Sequence, residues 1–218
     1  MRPKPLSDES SAGEVYRSAG RWSVAAWLVG ALLVAVGTAS LTIYAGAYDV
    51  AADIPHAQPV YWFLQTVRQR SIAARATDIA ILADLAAPKR IASGAAEYDE
   101  MCSGCHLAPR MKRTEISRGL YPRPPELRRG TNLTPAEEFW VVKHGIKLTG
   151  MPAWGVTHDD GLLWDVVAFL QKLPELTADQ YQALVKSAPK THEQMMQEME
   201  MGTGHDQGDQ PRLDSEDR

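Results

Sequence analysis

The chain has 218 residues, with 23 Lys and Arg against 27 Asp and Glu, a formal net charge of −4 and 44% hydrophobic residues. That balance gives no case for nucleic-acid binding, which calls for a strongly basic surface. Cys102 and Cys105 are the only two cysteines, so no second pair exists to complete a four-cysteine zinc site.

Residues 1–21 are polar and carry Arg2, Lys4, Arg17 and Arg21, whereas 22–48 contain no charged residue. Leu28, Leu32, Leu33, Val34, Val36, Leu41 and Ile43 make that run strongly apolar, and about 20 such residues cross a bilayer. The reading is a cytoplasmic segment, 1–21, and a single transmembrane anchor, 22–48. Asp49 and Asp53 follow the run, so the positive-inside rule puts everything after it outside. Ala45-Gly46-Ala47 would also serve as a signal-peptidase site, but the run exceeds an h-region of about 7–15 residues and has a long polar lead-in.

Residues 49–87 read as a partly helical linker. Tyr61, Trp62 and Phe63 suit an interface, and an amphipathic pattern continues through Leu64, Val67, Ile72 and Ala76. A surface spacer helix is the expected form, and a docking arm for a neighbouring membrane complex is its alternative.

Cys102-Ser103-Gly104-Cys105-His106 is the attachment signature of c-type haem. Two thiols one helical turn apart can each add across a vinyl group, and the adjacent imidazole then ligates the iron. A thioredoxin-like pair would follow a strand in a βαβ pattern, and none is visible. One covalent haem c on Cys102 and Cys105 is therefore expected, with His106 on the iron.

Arg110, Lys112, Arg113, Arg118, Arg123, Arg128 and Arg129 face only Glu115 and Glu126 in their stretch. Thr134-Pro135-Ala136-Glu137 is a capping box that opens a helix through Phe139 to Val142, stopped at Gly145. The second axial ligand is expected at Met151, in the Gly150-Met151-Pro152 loop between two helical patterns. Met101 and Met111 lie too near the cysteine motif, and His144 and His158 are the rivals. Thr157 or Asp159 caps a helix closed by Pro174, and Thr177 to Gln180 caps another through Tyr181, Leu184 and Val185.

Residues 190–218 are acidic and poor in apolar residues other than methionine, a composition that predicts disorder or a frayed helix. His192, Met195, Met196, Met199, Met201 and His205 are dense there. They suit copper by ligand softness, against the plainer reading of a solvated tail.

From about Pro88 to Pro174 the chain resembles a class I cytochrome c domain, on Cys102–His106, the Gly-Met-Pro loop and the closing helix Leu162–Leu170. The resemblance implies an all-α haem domain, 88–189 with its helical extension, following one N-terminal transmembrane helix. It further implies that Gly94 and Tyr98 lie where the first helix crosses the last, with Trp164 as their partner. It has Trp154 donate its indole N–H to a haem propionate. After the histidine, Leu107-Ala108-Pro109 departs from the family pattern, and the carbonyl orienting the imidazole is expected at Pro109 or Pro122. The implied function is a membrane-anchored monohaem carrier of single electrons between respiratory partners, not an enzyme, on the periplasmic face of a bacterial inner membrane. Its basic stretch would meet a redox donor or acceptor with an acidic surface. A haem-based ligand sensor and a copper-handling cytochrome are the alternatives.

Overall fold

The computed structural model describes residues 10–203, and among these the secondary structure is helical, with no strand. The chain divides into two compact units at Ile54 and Pro55.

In the first unit α1 runs from Ser10 to Tyr44. Its Val24–Tyr44 portion, with mean hydropathy 2.1, is long and apolar enough to cross a membrane. Thr38 and Thr42 interrupt the apolar run, but each hydroxyl donates to the carbonyl four residues back, at 2.8 Å, which is how such groups are tolerated in hydrocarbon. The helix stops at Gly46, whose φ is +61°. The Gly46 N–H donates to Ile43 at 3.0 Å and the Ala47 N–H to Thr42 at 3.1 Å. Those two bonds make a Schellman cap, so Ala45-Gly46-Ala47 has a structural use as a helix stop.

The second unit begins with α2, Gln58–Ala76, and α3, Pro88–Glu97. A π-helical turn, Tyr98–Cys102, carries α3 into the single turn α4, Ser103–His106. After α5, Glu115–Gly119, come α6, Pro135–His144, and α7, Asp160–Lys172. The last two helices are α8, Ala178–Lys186, and α9, His192–Thr203.

Gly94 lets α3 and α7 touch backbone to backbone. A Cβ there would overlap the Asp165 carbonyl and come within 2.9 Å of the Val166 nitrogen. Arg90 locks the crossing with a 2.5 Å ion pair to Asp165. Helix α7 is apolar on both flanks, and the two flanks serve separate cores. Val166, Phe169 and Leu170 pack with Ala95, Tyr98 and Cys102, joined by Tyr181 from α8. Leu163, Trp164 and Val167 pack with Phe139 and Val142 of α6. This corrects the expected pairing of Trp164 with Tyr98. Trp164 stacks on Phe139 at 4.3 Å, while Tyr98 meets Phe169 at 5.3 Å. The physical reason is helical phase: at 100° per residue, positions 164 and 166 point to nearly opposite sides.

Helix starts follow the expected chemistry. Thr134 and Glu137 form a reciprocal capping box on α6, Thr177 and Gln180 form another on α8, and Asp159 caps α7. The spacer reading of 49–87 is corrected beyond residue 54. Helix α2 packs on α6 with Ile72 and Ala76 buried, and Ile79, Leu82 and Leu85 extend the α6–α7 core. Tyr61, Trp62 and Phe63 remain exposed.

Over the first part of the tail, His192–Thr203 forms helix α9. One side of α9 docks on the domain, with Met195 buried and receiving the Ser93 hydroxyl at 3.6 Å. Met199 receives the Asp159 N–H at 3.4 Å. Methionines at i and i+4 give an otherwise polar segment the apolar stripe it needs to dock. Arg2, Lys4 and His205 lie outside the described residues.

Gly94→Ala should lower the stability of the second unit by about 3 kcal/mol. Thermal melts should then show a Tm lower by roughly 6–12 °C. Gly119→Ala, where a Cβ meets nothing within 4 Å, should leave Tm nearly unchanged. Equal melting of both variants would show that the close approach is dispensable.

Candidate functional site

Cys102 ends the π-helical turn and Cys105 lies in α4, so the two thiols stand one turn apart on a single short helix. They are not bridged. Burial, with the charges of Glu97 and Cys105 behind it, pushes the Cys102 thiol up to about 12, and burial also raises that of Cys105. Thiols held protonated lack the depressed pKa of a thioredoxin-type pair. They keep the S–H that adds across a vinyl bond.

His106 follows directly. Its Nδ1 donates to the Pro125 carbonyl at 2.9 Å, which leaves Nε2 as the nitrogen with a lone pair for a metal. Burial lowers the imidazole pKa, opposed by that bond to Pro125, so the neutral, ligating form prevails at pH 7. The orienting carbonyl is therefore that of Pro125, correcting Pro109 and Pro122. In Pro122-Arg123-Pro124-Pro125 three residues lack an N–H, a composition that keeps the run out of a helix and its carbonyls available to side chains. The Tyr121-Pro122 bond is cis.

The chain around this turn is tied down by side chains. Tyr98 Oη donates to the Leu107 carbonyl at 2.8 Å, where Leu107 adopts a φ of +68° to end α4. Thr114 donates to the Gly104 carbonyl at 2.5 Å and accepts the Ser117 N–H that starts α5. Glu126 gathers Arg113, Arg128 and Arg129 at 2.7, 2.9 and 3.0 Å. Arg128 also donates to the Ala108 and Met111 carbonyls. These three cations hold the loop together, which narrows the expected basic rim to the exposed Arg110, Lys112, Arg118 and Arg123.

Met151 is half-buried in a loop closed on itself. Its carbonyl receives the Ile146 N–H at 3.2 Å and its N–H reaches the Thr149 hydroxyl at 3.1 Å. Gly145, with φ +62°, ends α6 so tightly that a Cβ would come within 2.7 Å of Met151 O. A Cβ on Gly150 would run into the Leu120 side chain. The segment from Leu120 to Pro125 thus touches both the methionine loop and His106. Trp154 packs against the Phe139–Trp164 core and sits edge-on to His158 at 5.5 Å.

His144 is exposed at the end of α6. His158 is buried and belongs to another group, in which Glu97, His158 and His192 bring ligating atoms within 4.8 Å of one another. Burial raises the Glu97 carboxyl and lowers the His158 imidazole. No sequence motif marks this cluster. Its members are far apart in the chain, and the only local hint is a carboxylate on the helix face that also carries Gly94.

Two protonated thiols on one turn, a neutral imidazole with one nitrogen reserved, and a pinned methionine loop fit the needs of a covalently held haem. Residues 89–170 match the family model described as cytochrome C oxidase, cbb3-type, subunit III. No curated protein and no solved structure matches the chain. The matched span takes in the Cys102–His106 turn, the methionine loop and most of α7.

Proposed function

Residues 89–170 being a c-type cytochrome domain that binds haem and transfers electrons, we propose that the chain as a whole is a membrane-anchored carrier working through one haem c. Cys102 and Cys105 would hold haem c covalently, each adding its S–H across one vinyl group to give a thioether with no leaving group, and His106 and Met151 would ligate its iron. Once bound, haem c supplies an iron that alternates between ferric and ferrous states, taking up and releasing one electron. The observation that supports this reading is the His106–Pro125 hydrogen bond, in which Nδ1 donates and Nε2 keeps its lone pair. With Met151 as its second protein ligand, the iron would exchange electrons without an open position for substrate. Trp154 donates its indole N–H to a propionate.

Met151→Ala should abolish the long-wavelength sulfur-to-iron charge-transfer band, lower the reduction potential and open the iron to carbon monoxide. Haem should resist acidified organic solvent in the wild type and in this variant, and be absent or extractable once Cys102 and Cys105 are both replaced by serine. An unchanged band in Met151→Ala would give the ligand role to another residue. Ready carbon monoxide uptake by the wild type would favour a ligand sensor.

Val24–Tyr44 anchors the protein in a bacterial inner membrane, with the haem domain in the periplasm. The support is the mean hydropathy of 2.1 with basic residues before and acidic residues after it. Protease added to spheroplasts should digest the haem domain and spare an N-terminal tag. Soluble mature protein lacking that tag would identify the run as a cleaved signal.

Arg110, Lys112, Arg118 and Arg123 steer an acidic redox partner toward the domain. Oxidation by ferricyanide should slow as ionic strength rises, and Arg110→Glu with Lys112→Glu should weaken that dependence. A salt-independent rate in the wild type would remove any steering role.

A further inference from the structure

Glu97, His158 and His192 come from three separated parts of the chain. Glu97 is the last residue of α3 and is fully buried, His158 precedes α7 and is 6% exposed, and His192 opens α9. One contact among them has an ordinary explanation, because His192 Nδ1 meets Glu97 Oε2 at 2.7 Å as an ion pair or neutral hydrogen bond. That contact leaves two atoms unexplained. Glu97 Oε1 and His158 Nε2 are both buried with no hydrogen-bond partner. An unpaired buried polar atom forfeits its hydration without return, and here two such atoms sit within the same cluster of ligating atoms.

The ring of His158 is already oriented for ligation. Its Nδ1 pairs with the Thr157 hydroxyl at 2.8 Å, which leaves Nε2 as the atom turned to the cluster, the outer-shell arrangement typical of metal-bound histidine. The His192 ring lies nearly parallel to it, with centroids 5.3 Å apart. Two imidazoles and one carboxylate are a donor set that suits zinc and neighbouring divalent transition metals, with room for a fourth ligand. Bound ligand atoms around tetrahedral zinc stand about 3.3 Å apart, so the three groups, now within 4.8 Å, need only a small closure. Two of them lie at element ends, where such closure is easy. Lys89, Ser93, Met195 and Met199 line a groove that reaches His158.

We propose that Glu97, His158 and His192 form a binding site for one divalent transition-metal ion of the zinc class, separate from the haem. The site clamps α9 to the helix that leads into Cys102. It differs from a thioether copper site in the tail, because two of its three ligands come from the haem domain and none is a methionine.

The test uses the full-length haem-loaded protein in detergent, stripped with a chelator and titrated with Zn(II) against a chromophoric competitor. Mg(II) serves as the hard-cation control. One Zn(II) per chain is expected, with a rise in Tm and no response to Mg(II). His192→Gln and His158→Gln should each weaken Zn(II) binding at least 100-fold and remove the rise in Tm. His192 is half-buried at the start of α9, so His192→Gln is the variant expected to fold, and an intact haem spectrum verifies that. His205→Gln should bind as the wild type does. Equal affinity in the wild type and His192→Gln would overturn the site. Loss of binding in His205→Gln alone, or in a Met195→Leu, Met199→Leu variant with both histidines intact, would overturn it equally. Those outcomes are independent of the haem ligands, since the charge-transfer band reports Met151 separately.

Discussion

The contact of Gly94 with the Asp165 carbonyl is the constraint on which the second unit rests. Two helices can approach this closely only where one lacks a Cβ. Because α3 runs on through Tyr98–Cys102 into α4, fixing α3 against α7 also fixes where the two thiols and His106 stand. The π-helical turn adds one residue to that path, a local change common at functional positions. It leaves Tyr98 facing the core, with its hydroxyl on the Leu107 carbonyl. One side chain therefore belongs to both the helix crossing and the end of the cysteine turn.

Beyond His106 the chain runs with only short helices until α6, so its carbonyls need partners that helices and sheets would otherwise supply. Side chains provide them. Tyr98, Thr114, Arg128 and His106 each take up a main-chain carbonyl between Gly104 and Pro125. His106 is thus part of the loop's own hydrogen-bond network, and the loop and the imidazole orient each other. This is why a stretch without long helices can hold an imidazole in a defined pose.

What was legible in the sequence is what is encoded locally. The Cys102–His106 turn, the capping boxes at Thr134 and Thr177, the Asp159 cap and the glycine–aromatic pair at Gly94 and Tyr98 all rest on residues within a turn of one another. What was not legible depends on distant partners. Pro125 is in contact with His106 only through the fold of the intervening loop. Trp164 was paired with the wrong aromatic because α7 has two buried flanks, and hydrophobicity alone does not say which flank meets which helix. The docking of α2 and α9 depends on distant partners in the same way. Helix α2 is rich in apolar residues, but Tyr61, Trp62, Phe63 and Val67 stay exposed while Ile72 and Ala76 are buried, and in α9 Met195 is the buried one. Which apolar positions meet the domain cannot be read from the helix alone.

The charges near the site divide by pairing. The hydrogen bond from Arg128, with the charges of Arg129 and Arg113 beside it, holds the Glu126 carboxyl below its ordinary value. Those arginines are correspondingly occupied and contribute structure more than field. Exposed cations such as Arg110 and Lys112 make no such commitment, and their charge extends into solvent over about a Debye length. Counting every basic residue between 110 and 129 would therefore overstate the field a partner meets. The effective patch is smaller, and it lies on the loop that His106 itself helps to order.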